Sequence, residues 1–209
     1  VRSSAASDVY KRQSLALTGL GVCTPIILIV SAFAALVASG GAPRASISMG
    51  KGDLQTAEKM LGGCFSLQLG ISAVLTAVLL IWNRDLLLAF GASGQTIDYA
   101  ADYMQIYAIG TVFVQLTLGM NAFITAQGFA REGMLTVLIG AVCNIVLDPI
   151  LIFKLGMGVR GAALATIVSQ GVSCLWVVLF LFSKKSVLKL RVQNFLQSCL
   201  LYTSPSPRD

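Results

Sequence analysis

Asp148 is the one acidic or basic residue lying well inside a long apolar run of this sequence, and Asn144 stands four residues before it. On a helix that spacing puts the carboxylate and the amide on the same face. Pro149 follows directly. It has no N–H to give the carbonyl of Ile145, so that oxygen is free to accept elsewhere. One face would then offer a carboxylate, an amide oxygen and a backbone carbonyl. A hard cation such as Na⁺ takes oxygen ligands of this kind, and a proton needs only the carboxylate. Further along, Ala162, Thr166, Ser169 and Ser173 recur at helical spacing, all small or hydroxylated, and Thr166 is the best placed to add an oxygen ligand. Earlier, Thr117, Asn121, Thr125 and Gly128 form a similar stripe, with Gln115 and Gln127 close by.

These residues need long apolar elements to hold them, and the composition supplies little else. Of 209 residues, 56% are hydrophobic and only 11% charged, with a mean hydropathy of +0.81. So few charges cannot cover a soluble globule, where about 25% is usual, and disorder needs the opposite composition. A bilayer core of about 30 Å asks for roughly 20 apolar residues of helix. Five segments meet or approach that test, at 15–43, 60–83, 103–130, 133–153 and 161–183. The expected fold is all-α, a multi-spanning membrane helix bundle with continuous helices, since backbone polar groups in lipid must be satisfied within the segment. Pro25 should kink the first span, as a static bend or as a hinge, and Pro149 the fourth.

An acid in the middle of a span costs about 2.5–3.5 kcal/mol on insertion scales, so Asp148 should face a cavity or a partner. Two other readings fit the same spacing. Asp148 could be hydrated near an interface, with Lys154 six residues on, or Asn144 and Asp148 could be glue between helices. Packing alone would also account for most of the small stripe around Thr166. A buried amide in a membrane helix must find a partner, so Asn121 should face the bundle interior, for helix bonding or for solute contact.

Basic residues set the expected orientation. Arg44, Lys51, Lys59 and Arg131, then Lys184, Lys185, Lys189 and Arg191, fall on one side; Arg84, Lys154 and Arg160 fall on the other. The first side is expected to be cytoplasmic. The connection 44–59 should lie along that interface, and 84–102 should hold a short interfacial helix rather than a span.

Other chemistry is poorly served. The net charge is +6, but its bases sit in short loops between apolar runs rather than in a nucleic-acid patch. The chain has no histidine, and its five cysteines form no CxxC pair, so neither a His-based triad nor a metal ribbon is available. No nucleophile is paired with a base, and an enzyme is not expected. Gly156-Met-Gly-Val-Arg-Gly161 matches GxGxxG by letter, but a span precedes it instead of a strand in a βαβ unit. It is expected to be a tight interhelical turn. Gly50-Lys51-Gly52-Asp53 lacks the parts of a phosphate-binding loop, so transport would draw on an ion gradient, with no cofactor beyond Na⁺ or H⁺. The ends, 1–13 and 199–209, resemble translated sequencing-adapter ends and are set aside from the fold.

Five stretches in order resemble the multidrug and toxic compound extrusion (MATE) transporters: SGGAPRASISMGKGD (39–53), LLLAFGAS (86–93), NAFITAQG (121–128), NIVLDPILIF (144–153) and GMGVRGAALATIVSQ (156–170). The resemblance implies that residues 14–198 form part of an N-terminal lobe, its second to sixth helices, with the first helix and the C-terminal lobe missing. It implies exchange of cationic or amphipathic drugs for Na⁺ or H⁺ in a membrane such as the bacterial inner membrane, with this piece inactive alone. It further implies a cation site at Asn144, Asp148 and Thr166 with the Ala162 carbonyl, and a substrate cavity touched by Asn121, Gln115, Thr117 and Thr125. A lipid-linked oligosaccharide flippase of the same superfamily and a non-transporting scaffold remain the alternatives. The apolar cores carry no basic residue, which favours a cationic or neutral substrate over a phosphate.

Overall fold

The computed structural model describes residues 2–191, so the adapter-like end expected at 199–209 lies outside them. Seven α-helices run in chain order: α1 (Arg2–Gly50), α2 (Leu54–Ile81), α3 (Asn83–Ala89), α4 (Ile97–Ile109), α5 (Thr111–Ala126), α6 (Ala130–Pro149) and α7 (Gly158–Phe182), with a π-helical turn (Ile150–Lys154) between the last two. Among the described residues, four helices are long and apolar enough to cross a membrane, and a fifth span results if α4 and α5 are taken together. The all-helical, multi-spanning expectation holds.

Three boundaries differ from those expected, each for a local reason. The first helix does not stop at residue 43; it continues past Pro43 and Arg44 to Gly50, because Ala42 and Ala45 are buried against the bundle. The connection to α2 is therefore only residues 51–53, where Gly52 takes φ +79° and the Asp53 carboxylate accepts the Thr56 N–H at 3.1 Å, capping α2. Residues 44–59 are thus helical apart from that short turn.

The span expected at 103–130 is not one continuous helix. It begins at Ile97, breaks at Gly110 and bends by 56° into α5. A Cβ on Gly110 would overlap Ile167 of α7, so the missing side chain lets the bend seat against α7. The Tyr107 carbonyl freed by the break accepts from the Gly110 N–H at 3.0 Å and the Thr111 hydroxyl at 3.4 Å, which satisfies it inside the bundle.

The fourth span ends its α-helix at Pro149 and finishes as the π turn. The register slips to i→i+5 pairing, with the Leu155 N–H on the Ile150 carbonyl at 2.9 Å, as expected where a proline cannot continue the ladder. Pro25, by contrast, sits within an uninterrupted α1, whose helix also runs through 2–13. Of the turn expected at Gly156–Gly161, only the first part is a turn, with Gly156 at φ +65°; Gly158, at φ +55°, already opens α7, whose first turn takes in the rest. A Cβ on Gly161 would come 2.8 Å from the Leu151 backbone, so α7 packs directly on the π turn. The α3 helix is the short element expected within 84–102.

The interior divides in two. Toward the basic end, Leu61, Met120, Phe123, Val177 and Leu181 pack with Leu188 and Leu190 from beyond α7. Toward the other, Cys23, Val30, Leu87, Met104 and Tyr107 do so. Gln127, just past the end of α5, accepts from the Ser186 hydroxyl (3.0 Å) and the Leu188 N–H (2.8 Å). Glu58 of α2 takes the Lys189 N–H (3.3 Å) and pairs with Arg191 (2.8 Å). The segment after α7 is thus strapped across the ends of α2 and α5.

Candidate functional site

Helices α6 and α7 lie side by side and place their polar stripes face to face. The contact depends on small residues. Gly140 leaves room for Ser173, whose Oγ a Cβ there would meet at 2.6 Å. That hydroxyl donates to the Thr136 carbonyl of α6 at 3.1 Å. Ser173 and Thr136 are buried, so this part of the stripe is helix glue.

That contact closes one end of a cavity of about 310 Å³, which Thr136 and Ser173 line together with Asn144 and Gly140 from α6, Thr166, Ser169 and Gln170 from α7, and Thr117 from α5. None of its lining residues is charged. Thr117 bridges to α7, donating to the Gln170 carbonyl at 3.3 Å, and Thr166 donates to the Ala162 carbonyl at 3.0 Å. The Thr166 hydroxyl and Ala162 carbonyl are therefore a single point on α7. Ser169 Oγ and Gln170 Oε1 are buried with no hydrogen-bond partner among the described residues.

Asp148 is half-buried and is not part of that wall. Tyr103 of α4 stands beside Thr166, with Asp148 at longer electrostatic range. Tyr103 is buried and stacks on Tyr107, ring centroids 6.1 Å apart. Three elements thus converge here: Asn144 and Asp148 from α6, Thr166 and Ala162 from α7, and Tyr103 from α4. Tyr103 went unread in the sequence, where it looked like the edge of an apolar run. The available signal was a phenol inside a span, a group that when buried finds a polar partner.

The residues expected to touch a solute are dispersed. Thr117 lines the cavity. Asn121 and Thr125 instead face Gly133, where a Cβ would meet their side-chain oxygens at 3.5 and 2.7 Å. Gly133 is eleven residues from Asn144, about 16 Å along the helix. Asn121 Oδ1 is buried with no hydrogen-bond partner among the described residues. Gln115 is fully buried and donates to the Val30 carbonyl of α1 at 2.7 Å. Its neighbour Gln68 of α2 reaches the Ala34 carbonyl, one turn further along α1, at 3.5 Å. Both glutamines tie α1 into the bundle.

The MatE family model matches residues 9–150, more than half of the chain. The chain belongs to the MatE family. Among curated relatives, it is 28% identical over 178 residues to the multidrug export protein MepA of Staphylococcus haemolyticus, an overlap of 85% of this chain and 39% of that protein. It is likewise 28% identical over 158 residues to an FAD transporter of Shewanella oneidensis, covering 74% and 35%. Its fold is similar to that of a MATE transporter crystallised in the bent conformation, with TM-score 0.83 and 28% identity over 92% of this chain and 42% of that one. A MOP superfamily transporter from Pyrococcus furiosus, described as having a binding pocket of reverse polarity, superposes at TM-score 0.80 with 28% identity, over 93% of this chain and 41% of that one. This MatE chain spans about 40% of the length of the proteins it matches.

Proposed function

We propose that this chain forms the second to sixth helices of the N-terminal lobe of a cation-coupled exporter, and that Asp148 is the group whose neutralisation drives the exchange. The observation carrying this reading is that Asn144 of α6, one turn before Asp148, and Thr166 of α7, bonded to the Ala162 carbonyl, line one cavity whose polar oxygens are not all spent on the fold. Asn144, Asp148, Thr166 and the Ala162 carbonyl would supply oxygens to Na⁺, or Asp148 alone would take H⁺. Among the described residues, no three Asp, Glu, Cys or His side chains gather as a multivalent metal would ask.

Coupling then follows from linkage. An ion shifts the lobe between two states only by its differential affinity for them. The π turn beside Asp148 marks the place where α6 would rearrange, since π bulges within α-helices occur frequently at functional sites. The exported solute is cationic or amphipathic, in keeping with the multidrug export proteins among the relatives and with the uncharged cavity wall. The chain alone is expected to insert without transporting. Its basic end, with Arg131, Lys184 and Lys185, lies in the cytoplasm under the positive-inside rule.

The test is dye export from vesicles holding the full-length protein, driven in turn by a Na⁺ and a H⁺ gradient. Asp148→Asn should abolish exchange, by a hundred-fold or more, with membrane insertion unchanged. Export at the unsubstituted rate in that variant removes Asp148 from the mechanism.

A further inference from the structure

At the basic end, the start of α6 and the close of α7 leave a cavity of about 550 Å³ that the transport reading does not use. Its outer wall is Arg131, Glu132 and Lys185; its inner wall is Leu135, Trp176 and Leu179. Arg131 opens one span and Lys185 follows the end of another, so the charges stand where a bilayer's headgroups lie. Trp176 is six residues before the end of α7 at Phe182, about 9 Å deeper along the helix, at the level of the first acyl carbons. Two polar atoms here have no partner among the described residues: the indole Nε1 of Trp176 and the hydroxyl of Ser183, which also lines the cavity. No side chain caps the first turn of α6, so that helix end adds its partial positive charge to the same place.

We propose that this cavity binds an anionic phospholipid of the adjacent leaflet. Its phosphate sits between Arg131, Lys185 and the first turn of α6, and one acyl chain lies over Leu135, Trp176 and Leu179. The occupant is argued from charge and polarity together. A free phosphate would use the basic rim and leave the apolar floor uncovered, whereas a neutral lipid would cover the floor and leave two cations unmatched. Glu132 partly offsets the rim, which selects a headgroup of single negative charge. The ordinary alternative, an interfacial belt of Trp and Lys with no lipid preference, makes a different prediction.

The chain has two tryptophans, which makes the test direct. Trp82 closes α2 at the opposite end and is half exposed. In a Trp82→Phe background, Trp176 is the sole reporter of its own cavity. The full chain is placed in vesicles holding a minority of brominated phosphatidylglycerol in plain phosphatidylcholine, and then the same fraction of brominated phosphatidylcholine in plain phosphatidylcholine. Quenching of Trp176 should show about a five-fold enrichment of the anionic lipid over its bulk fraction, the size expected for one unopposed basic residue at a charged surface. Arg131→Gln with Lys185→Gln should bring the two headgroups level, while Trp82, read in a Trp176→Phe chain, reports bulk composition throughout. Equal quenching by both lipids in the unsubstituted chain, or a preference surviving the double substitution, overturns the proposal. So does release of the brominated lipid by millimolar inorganic phosphate, which would make the site one for a free anion.

Discussion

Arg160, in the first turn of α7, grips Asp102 of α4 through two hydrogen bonds, Nε to Oδ2 at 3.1 Å and Nη2 to Oδ1 at 3.0 Å. Asp102 precedes Tyr103, and Arg160 lies two residues before Ala162. The pair braces the two helices whose side chains meet at the candidate cation site. Its side chains are 63% and 40% exposed, so solvent screening keeps its contribution to stability small. A double-mutant cycle with Arg160→Gln and Asp102→Asn should give a small favourable coupling at low salt. In 1 M NaCl, where the Debye length is about 3 Å, the coupling should vanish; persistence there would mean that the pair is held by packing rather than charge.

Gly110→Ala should destabilise the bundle by about 1–3 kcal/mol, the usual cost of forcing an extra methyl into a packed interface. The backbone tolerates alanine, at φ −87° and ψ 1°, so the cost is steric and falls on Ile167. Ile167→Ala in the same chain should recover part of it, giving a non-additive pair. Denaturant titration in detergent of the two single variants and the double variant measures this.

Gln115→Leu should cost no more than about 1 kcal/mol. The hydrogen bond to the Val30 carbonyl is lost, but such bonds between membrane helices average about 0.6 kcal/mol. The substitution also removes an amide oxygen that is buried without a partner among the described residues. Gln115→Ala, which leaves a void, should cost clearly more in the same unfolding experiment. Equal losses from both would mean that the amide, and not its volume, holds α1 in place.

Hydrogen bonds from Thr56, with a smaller contribution from the Lys59 charge, hold the Asp53 carboxyl below its ordinary value. A folded-state value that is depressed gives stability that is fully present above the unfolded carboxylate range, about 3.9, and lost as pH falls through the lower folded value. The start of α2 should therefore fray only below about pH 4. The Thr56 amide resonance should shift with a midpoint below that of a free aspartate, and Asp53→Asn should keep the cap while abolishing the pH dependence. A midpoint at the free-aspartate value would show that the cap does not hold in solution.

What was legible in advance was what composition and short-range spacing dictate. Segments of about 20 apolar residues can satisfy their backbones in lipid only as helices, so the bundle follows from residues such as those of 60–83 and 161–183 alone. The spacing of Asn144 and Asp148 required one helical face for both, and Thr166 with Ala162 is likewise a pair one turn apart on a single helix. Such pairs depend only on helical pitch.

Contacts between segments depend on which faces meet, and periodicity does not carry that. Whether Gln115 addresses a solute or the Val30 carbonyl depends on the rotation of α5 against α1. That Tyr103 comes beside Thr166 depends on the break at Gly110, a residue that reads in sequence as one more small apolar position. The bend seats against α7 because Gly110 leaves free the space that Ile167, 57 positions later, occupies. Local patterning thus determined the helices and the pairs within them, while packing between helices decided which of those pairs share a site.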